Sequence, residues 1–521
     1  MKNLKYVALL GIVLFGFVLR IYKVSSIPPS LTWDEVSIGY NAYSILKTGH
    51  DEHGRYFPFD TFAAYGDYKP PIPIYLTVPF VAVFGLNELA VRLPSVLAGT
   101  FTILFVYFFV KELFGNEEVS MLTSLLLTIS PWHIQLSRAG FEANIALFFV
   151  VLGSYLILKK KFLICWTGYV AAIYTFNSAR YVVPFLSIIF FVYVRKDLLA
   201  YKGKIAKGLL IAFILILPIV PHLLSKEARI RFSEVNIFSD PGLVLTANDR
   251  MALDGGLWAN IFHNRRIGYM RSYLLHFFDN LEPRFLFTRG DGNPKFSLQD
   301  VGEFYLVEVP FFILGFIWLF RNQRRIVWVL VGWIIASIIP AATARETPHA
   351  LRIENTLPAF LIVISYAISQ MTRKRIFTIG IVVLYAANFS FFWHNYMNHY
   401  ATEFSGEWQY GYKQALVAIR PYRDQYKQIV ITESIGRPYM YVLFYEKIDP
   451  STIKDLLSSY FDADGFYHVT RVGKYAFVKE VIGFEKDTLY VLTPREVHPK
   501  AQILGEIQLL NGTKYLSIFD I

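Results

Sequence analysis

Apolar runs long enough to cross a bilayer recur along this chain, and short turns rich in lysine and arginine separate them. A membrane helix needs roughly 20 mostly apolar residues. The runs that come near this length are 3–21, 90–112, 118–135, 142–158, 162–177, 181–194, 206–223, 304–320, 326–342, 350–370 and 376–393. The stretch 72–84 is shorter and contains Pro73 and Pro79, so it is expected to lie along the interface or dip into it rather than cross. Residues 2–19 look like a signal peptide, but no small-residue cleavage site follows and Arg20 interrupts the exit, which reads as an uncleaved first span. The fold class expected is mainly α: a polytopic helical membrane protein of about 11 spans.

Composition agrees. Hydrophobic residues make up 54% of the 521 and charged residues 17%, below the roughly 25% usual in soluble domains. The net charge of +11 does not signal nucleic acid, because the bases sit in short turns and not along one polar face. With the N-terminus in the cytoplasm, the inner turns hold Lys111; Lys159, Lys160 and Lys161; Arg195, Lys196, Lys202 and Lys204; Arg321, Arg324 and Arg325; and Arg373, Lys374 and Arg375. That is the positive-inside pattern of a multi-pass protein of the plasma or inner membrane. Cys165 is the one cysteine, so no intrachain disulfide can form.

Three larger pieces then face outward: 22–89, 224–303 and 394–521. The division expected is a membrane domain over 1–393 and a small extracytoplasmic α/β domain over 394–521. In the first piece, Ile38, Ala42 and Ile45 mark one side of a short helix over 35–48. In the last, a helix over 409–420 precedes a strand at Gln428–Thr432, with further strand-like runs at 474–482, 487–492 and 502–519. Asn511-Gly512-Thr513 matches a glycosylation acceptor, and a turn is the better reading.

Chemistry-bearing residues gather on the outward side. Trp33-Asp34-Glu35 puts two carboxylates just beyond the first span, where an acid can cap a helix or serve as a base. Asp67-Tyr68-Lys69-Pro70-Pro71 holds an ammonium on a stiff segment, suited to meeting a phosphate. Arg138 and Glu142, at the mouth of a span, are one helical turn apart and could form an ion pair. Glu142 could equally flank a substrate or, with Asp34, hold a divalent cation. No zinc spacing is present. Arg180, then Arg345, His349 and Arg352, and in the long loop Arg265, Arg266, Arg271, Arg284 and Arg289, place bases where the positive-inside rule expects few. Binding an anionic phosphate is one cause. No Walker loop, Rossmann glycine pattern or nucleophile elbow occurs in a fitting context.

On Asp34-Glu35, Lys69-Pro70-Pro71, Arg92-Leu93-Pro94-Ser95, Ser130-Pro131-Trp132 through Glu142 and Pro348-His349-Ala350-Leu351-Arg352, the chain resembles the integral-membrane glycosyltransferases of GT-C fold. Within that fold it resembles the branch of the protein O-mannosyltransferases and lipid A aminoarabinose transferases. The likeness runs over 1–393 in topology and is most specific in 30–100. It implies transfer of a sugar from a polyprenyl-phosphate donor to an acceptor (protein, lipid or glycan) on the outer face; a direct displacement with one base would invert the anomeric centre. Asp34 would be the base with Glu35 beside it, and Lys69, Arg138, Arg180, Arg345, His349 and Arg352 would hold the donor phosphate. Glu142, Tyr68 and Asp67 would meet substrate or a divalent cation. One departure stands out: relatives in the aminoarabinose branch often carry an acid directly before Lys-Pro-Pro, where this chain has Tyr68, with Asp67 one residue earlier. The competing class is a transporter or flippase of a lipid-linked sugar, whose ionisable groups would sit near the bilayer midplane in paired repeats. The carboxylates here lie in outward loops, and no paired repeat is visible.

Overall fold

The computed structural model describes all residues except 1, 226, 227, 229–233, 373, 374 and 463–466. Of the expected basic turn at 373–375, Arg373 and Lys374 therefore lie outside the described residues. The chain forms two compact units. One takes in Met1–Val18, Ala98–Leu136 and Glu142–Phe392; the other takes in Leu19–Leu97, Ser137–Phe141 and Trp393–Ile521. A unit boundary lies between Phe392 and Trp393, and the second unit also holds the whole of the first outward piece, 22–89.

The first unit is helical. Across the chain, six helices among the described residues are long and apolar enough to cross a membrane: Leu4–Ile21, Glu88–Phe114, Leu199–Leu223, Arg324–Ala341, Ala350–Met371 and Arg375–Asn398. A seventh span arises if Pro131–Ser137 and Glu142–Leu158, bent by 114° between them, count as one. The shortfall from about 11 has local causes. Ser130-Pro131 divides the run 118–135 into Glu117–Ile129 and Pro131–Ser137. Runs 162–177, 181–194 and 304–320 yield helices of only 9, 15 and 14 residues, at Cys165–Ile173, Ala179–Tyr193 and Val309–Asn322. Among the long helices Ala350–Met371 is the most enclosed, 89% buried over its apolar window, whereas Arg375–Asn398 is 11% buried and presents its sides outward. Without a hydrophobic drive between helices in lipid, close approach depends on small residues. Helix Val309–Asn322 meets helix Leu357–Met371 at Gly315, where an added Cβ would lie 2.2 Å from the Val363 carbonyl oxygen.

The second unit is built on a seven-stranded sheet. Its order is Leu457–Phe461, Tyr467–Val472, Tyr475–Val478, Gln428–Thr432, Thr488–Leu492, Lys514–Asp520 and Gln502–Gln508. Gln428–Thr432 is central and parallel to both neighbours, and its buried Ile429, Val430 and Ile431 are the continuous apolar run that a strand covered on both faces needs. The expected run 502–519 is a hairpin: Gly512, at φ +85°, turns the chain, and Leu509 N donates to Thr513 O. Of this sheet's strands the sequence did not announce two: Leu457–Phe461, at the edge, and Tyr467–Val472, next to it, which carry Ser458, Ser459, Thr470 and Arg471, with little apolar alternation to mark them. Helix Pro438–Tyr445 shares one apolar core with the sheet, helix Trp33–Thr48 and helix Pro71–Phe84. Tyr441 Oη donates to Leu31 O at 2.8 Å and Tyr40 Oη to Ile448 O at 2.7 Å. The tail is thus packed together with the first outward piece.

Candidate functional site

Helix Trp33–Thr48 starts one turn after a proline-rich entry, and its first turn decides where two adjacent acids point. Thr32 is the N-cap: its hydroxyl accepts from Glu35 N at 3.3 Å, and Thr32 N donates to Glu35 Oε2 at 2.9 Å. That reciprocal capping box fixes Glu35 inward. The cap is thus Thr32 with Glu35, and Asp34 is left to project from the second helical position.

Glu35 is 1% exposed. Its Oε1 accepts from Arg92 Nε and from Gly140 N, both at 2.9 Å. Arg92 itself is fully buried; Nη1 donates to Val24 O at 2.7 Å and Pro28 O at 2.8 Å, and Nη2 to Ser30 O and, at 3.5 Å, to Glu35 Oε2. One guanidinium therefore fastens the acid and the chain entering the helix. A fork of five donors in fixed geometry suits this task, and a lysine could not perform it.

Arg138, expected to grip a phosphate, is engaged otherwise. Nη1 donates to Leu19 O at 2.6 Å and Arg20 O at 3.2 Å, and Nη2 to Tyr22 O and Ile27 O, both at 2.8 Å. The first two carbonyls belong to the last turn of helix Lys2–Ile21, where orphan acceptors and the dipole favour a cation. Arg138 follows the end of helix Pro131–Ser137, and Glu142, 8% exposed, opens helix Glu142–Leu158, so the two do not share one helix.

Asp34 contrasts with its neighbour. Its side chain is 39% exposed, and Oδ1 lies 2.9 Å from Lys69 Nζ. Lys69 is brought there by a hairpin that the sequence reading missed. Phe62–Ala64 pairs antiparallel with Asp67–Lys69, Ala64 opposite Asp67. Tyr65 and Gly66, at φ +59° and +88°, form the two-residue turn, the geometry that matches strand twist. Asp67 and Lys69, two apart on a strand, emerge on one face, and Asp67 Oδ2 is 3.7 Å from Lys69 Nζ. Asp67 Oδ1 accepts from Tyr68 N at 2.8 Å, and Tyr65 Oη donates to Trp33 O at 2.8 Å, tying the turn to the helix start. Pro70 and Pro71 are the N-cap and first residue of helix Pro71–Phe84, where a missing N–H costs nothing. The ammonium is therefore held between two carboxylates.

In the same unit, Glu52 went unnoticed in the sequence although Asp51-Glu52-His53 signalled charge. It is 6% exposed, its Oε1 accepts from Asn41 Nδ2 at 3.2 Å, and burial pushes its carboxyl up to about 7.

The remaining sequence candidates belong to the helical unit. Arg345 donates through Nε to Asn236 O at 3.2 Å and Arg352 through Nη1 to Glu346 O at 2.8 Å. Arg180 is half-buried in helix Ala179–Tyr193. His349 is not a cation. Burial, reinforced by Arg352, lowers its ring to about 3, so the imidazole is neutral near pH 7. Its Nδ1 lies 3.6 Å from Asp291 Oδ2, and Phe296 packs on the ring with centroids 4.8 Å apart. Asp291 Oδ2 also accepts from Ala350 N at 2.7 Å, and burial raises this carboxyl to about 6. Glu303, which accepts from Asp291 N at 2.9 Å, is pushed well above the usual carboxylate range by burial and by Asp291. Among the described residues no group of three or more His, Cys, Asp or Glu side chains is arranged to hold a metal ion.

Comparison with known proteins bears on this arrangement. Residues 11–176 match the family model described as dolichyl-phosphate-mannose-protein mannosyltransferase. An uncharacterized protein of Aquifex aeolicus is 28% identical over 154 residues, which span 28% of this chain and 31% of that relative. YkcB of Bacillus subtilis, a candidate mannosyltransferase, is 26% identical over 157 residues, 29% of this chain and 20% of the relative. These matches thus span about a third or less of each relative. Solved structures agree over far more of the chain. ArnT from Cupriavidus metallidurans in the apo state superposes with a TM-score of 0.56 at 11% identity, covering 98% of this chain and 97% of that one. The Archaeoglobus fulgidus oligosaccharyltransferase tethered to an acceptor peptide gives 0.51 at 14%, covering 86% and 63%. At such identities the likeness is one of fold. The chain is a multi-pass membrane protein with the fold of the GT-C glycosyltransferases.

Proposed function

We propose that this protein transfers a sugar from a polyprenyl-phosphate donor to an acceptor hydroxyl at the outer membrane face, with Asp34 as the base. The observation that carries the reading is the pairing of a half-open carboxylate, Asp34, with the Lys69 ammonium at 2.9 Å, beside an acid that is wholly engaged in structure. Two kinds of chemistry are needed. The acceptor hydroxyl must lose its proton as its oxygen bonds to the anomeric carbon, and the departing phosphate must be neutralised. Asp34 accepts that proton; Lys69 meets the phosphate as the sugar–oxygen bond breaks. A single displacement of this kind inverts the anomeric centre. Glu35, with Arg92, Gly140 and Thr32 on its oxygens, holds the helix start and so the direction of Asp34.

Support comes from two sides. ArnT was also solved bound to undecaprenyl phosphate, a polyprenyl phosphate of the kind this reading requires. The basic turns argue for a cytoplasmic N-terminus, which sets residues 22–89 and the tail on the outer side.

The test is transfer of labelled sugar by Asp34→Asn in vesicles loaded with polyprenyl-phosphate sugar. A positioned base contributes roughly 10²–10⁴-fold, and a loss of that order is expected with the protein still folded and inserted. Transfer at the unmodified rate would remove Asp34 as base. Movement of the lipid-linked sugar across the vesicle without any new glycosidic bond would instead favour a flippase.

A further inference from the structure

Helix Arg265–Asp279 is built inside out. In a helix facing water, the apolar stripe turns to the protein and the polar side turns to solvent. Here Ile267, Met270, Leu274 and Phe278, at spacings that form one stripe, are 37%, 58%, 47% and 63% exposed. The opposite side, with Tyr269, Tyr273, His276 and Phe277, faces the protein: Tyr273 Oη donates to Ile339 O at 3.2 Å, and His276 Nδ1 lies 2.8 Å from Ala344 O. Ile339 is in the last turn of the membrane-length helix Arg324–Ala341, so the inverted helix sits at the level where that span ends. The preceding helix, Gly256–Phe262, continues the surface with Trp258 and Phe262, 68% and 62% exposed and stacked at 5.7 Å.

We propose that this segment is a membrane-surface anchor. Its apolar stripe is buried at the headgroup–acyl boundary, and Arg265, Arg266 and Arg271 contact the phosphates of anionic lipids. Three observations select lipid as the occupant. The helix that carries the stripe bonds to the last turn of a span; Trp258 is a residue suited to the interface; and Arg271 is exposed within the stripe itself, where a long stem can lie along acyl chains while its head reaches a phosphate. A second copy of the chain laid face to face on the same stripe would bring arginine against arginine. These bases, unexpected on the outer side by the positive-inside rule, thereby gain a partner other than substrate. The inference rests on the membrane reading and not on the transfer reading, so either can fail alone.

Spin labels on the full-length protein decide it. Cys165 is buried and can stay. Labels are placed at Met270→Cys and Leu274→Cys, with Lys427→Cys as the aqueous reference, its lysine side chain being 85% exposed. In phosphatidylglycerol vesicles, labels at 270 and 274 should collide more with oxygen than with a nickel chelate, and the label at 427 the reverse. Collision at 270 and 274 matching 427 would overturn the anchor, and so would shielding from both reagents, which would mean a protein partner or a second copy. Replacing the three arginines by glutamine should move both labels toward water in phosphatidylglycerol and leave them unmoved in phosphatidylcholine. Equal depth for the parent protein and this variant in phosphatidylglycerol would sink the headgroup contacts.

Discussion

Glu35 and Asp291 are both nearly sealed carboxyls, 1% and 4% exposed, and the chain treats them in opposite ways. Glu35 receives a buried guanidinium, a backbone amide and a helix cap. Asp291 receives the amides of Asn293 and Ala350, an imidazole that burial keeps neutral, and the buried Glu303 next to it. The first is an ion pair built into the start of a helix. The second is a carboxyl whose ionisation is opposed by its surroundings. A buried acid can thus serve as a fixed charge or as a proton store, and what decides is whether an arginine sits within bonding distance. The exposed acid of the proposed reaction, Asp34, stands one residue from the fixed charge.

The largest break in that contrast is Arg92→Met. It leaves Glu35 buried without its cation and strips a donor from the carbonyls of Val24, Pro28 and Ser30. Removing one partner of a buried pair costs about 3–5 kcal/mol. Unfolding of the detergent-solubilised protein should register that loss, and adding Glu35→Leu to Arg92→Met should recover much of it. A cost under about 1 kcal/mol, the range of exposed pairs, would mean that Glu35 needs no cation.

Next in size is a pH effect confined to Asp291 and His349. The His349 ring is lowered, so its contribution is fully present above its ordinary 6.5 and drains as pH falls towards about 3. The Asp291 carboxyl is raised, so its contribution is fully present below its ordinary 3.8 and is lost as pH rises through about 6. Between about 4 and 6 the two slopes oppose each other, and their joint contribution is nearly flat. His349→Phe, which keeps a ring against Phe296, should uncover the Asp291 slope. Relative to the parent protein, stability should then fall by about 3 kcal/mol as pH rises across that window, at about 1.4 kcal/mol per pH unit. A variant whose stability changes with pH just as the parent protein's does would show that the His349 ring is not lowered.

The parts of this arrangement that could be read in the sequence are those with a local period or a local neighbour. Gln428–Thr432 stood out as an apolar run and is the central strand; Asn511-Gly512 stood out as a turn and joins two strands. Asp34 and Lys69 were singled out separately, and the fold brings them together through the hairpin whose Tyr65-Gly66 turn went unread. Arg92 drew notice only as part of a motif, because its partner is 57 residues away and nothing in a window around it shows what its fork will meet. Arg138 looked like a phosphate ligand because it follows an apolar run, yet the acceptors it meets are carbonyls more than 100 residues earlier. His349 was counted with the cations because arginines flank it in sequence. Burial, a property of the fold, reverses that reading.

The smallest effect sharpens the comparison most finely. Thr32→Ala removes the hydroxyl that accepts from Glu35 N, but Thr32 contributes its own N–H to Glu35 Oε2 through the backbone, and alanine keeps that bond. Only one half of the capping box is lost, which sets the cost at about 1 kcal/mol. Glu35 retains Arg92 and Gly140, so the helix start should hold its direction and transfer should stay within a few-fold of the parent rate. If Thr32→Ala instead matched Arg92→Met in both stability and rate, the orientation of Asp34 would depend on the cap, and the buried guanidinium would be secondary to it.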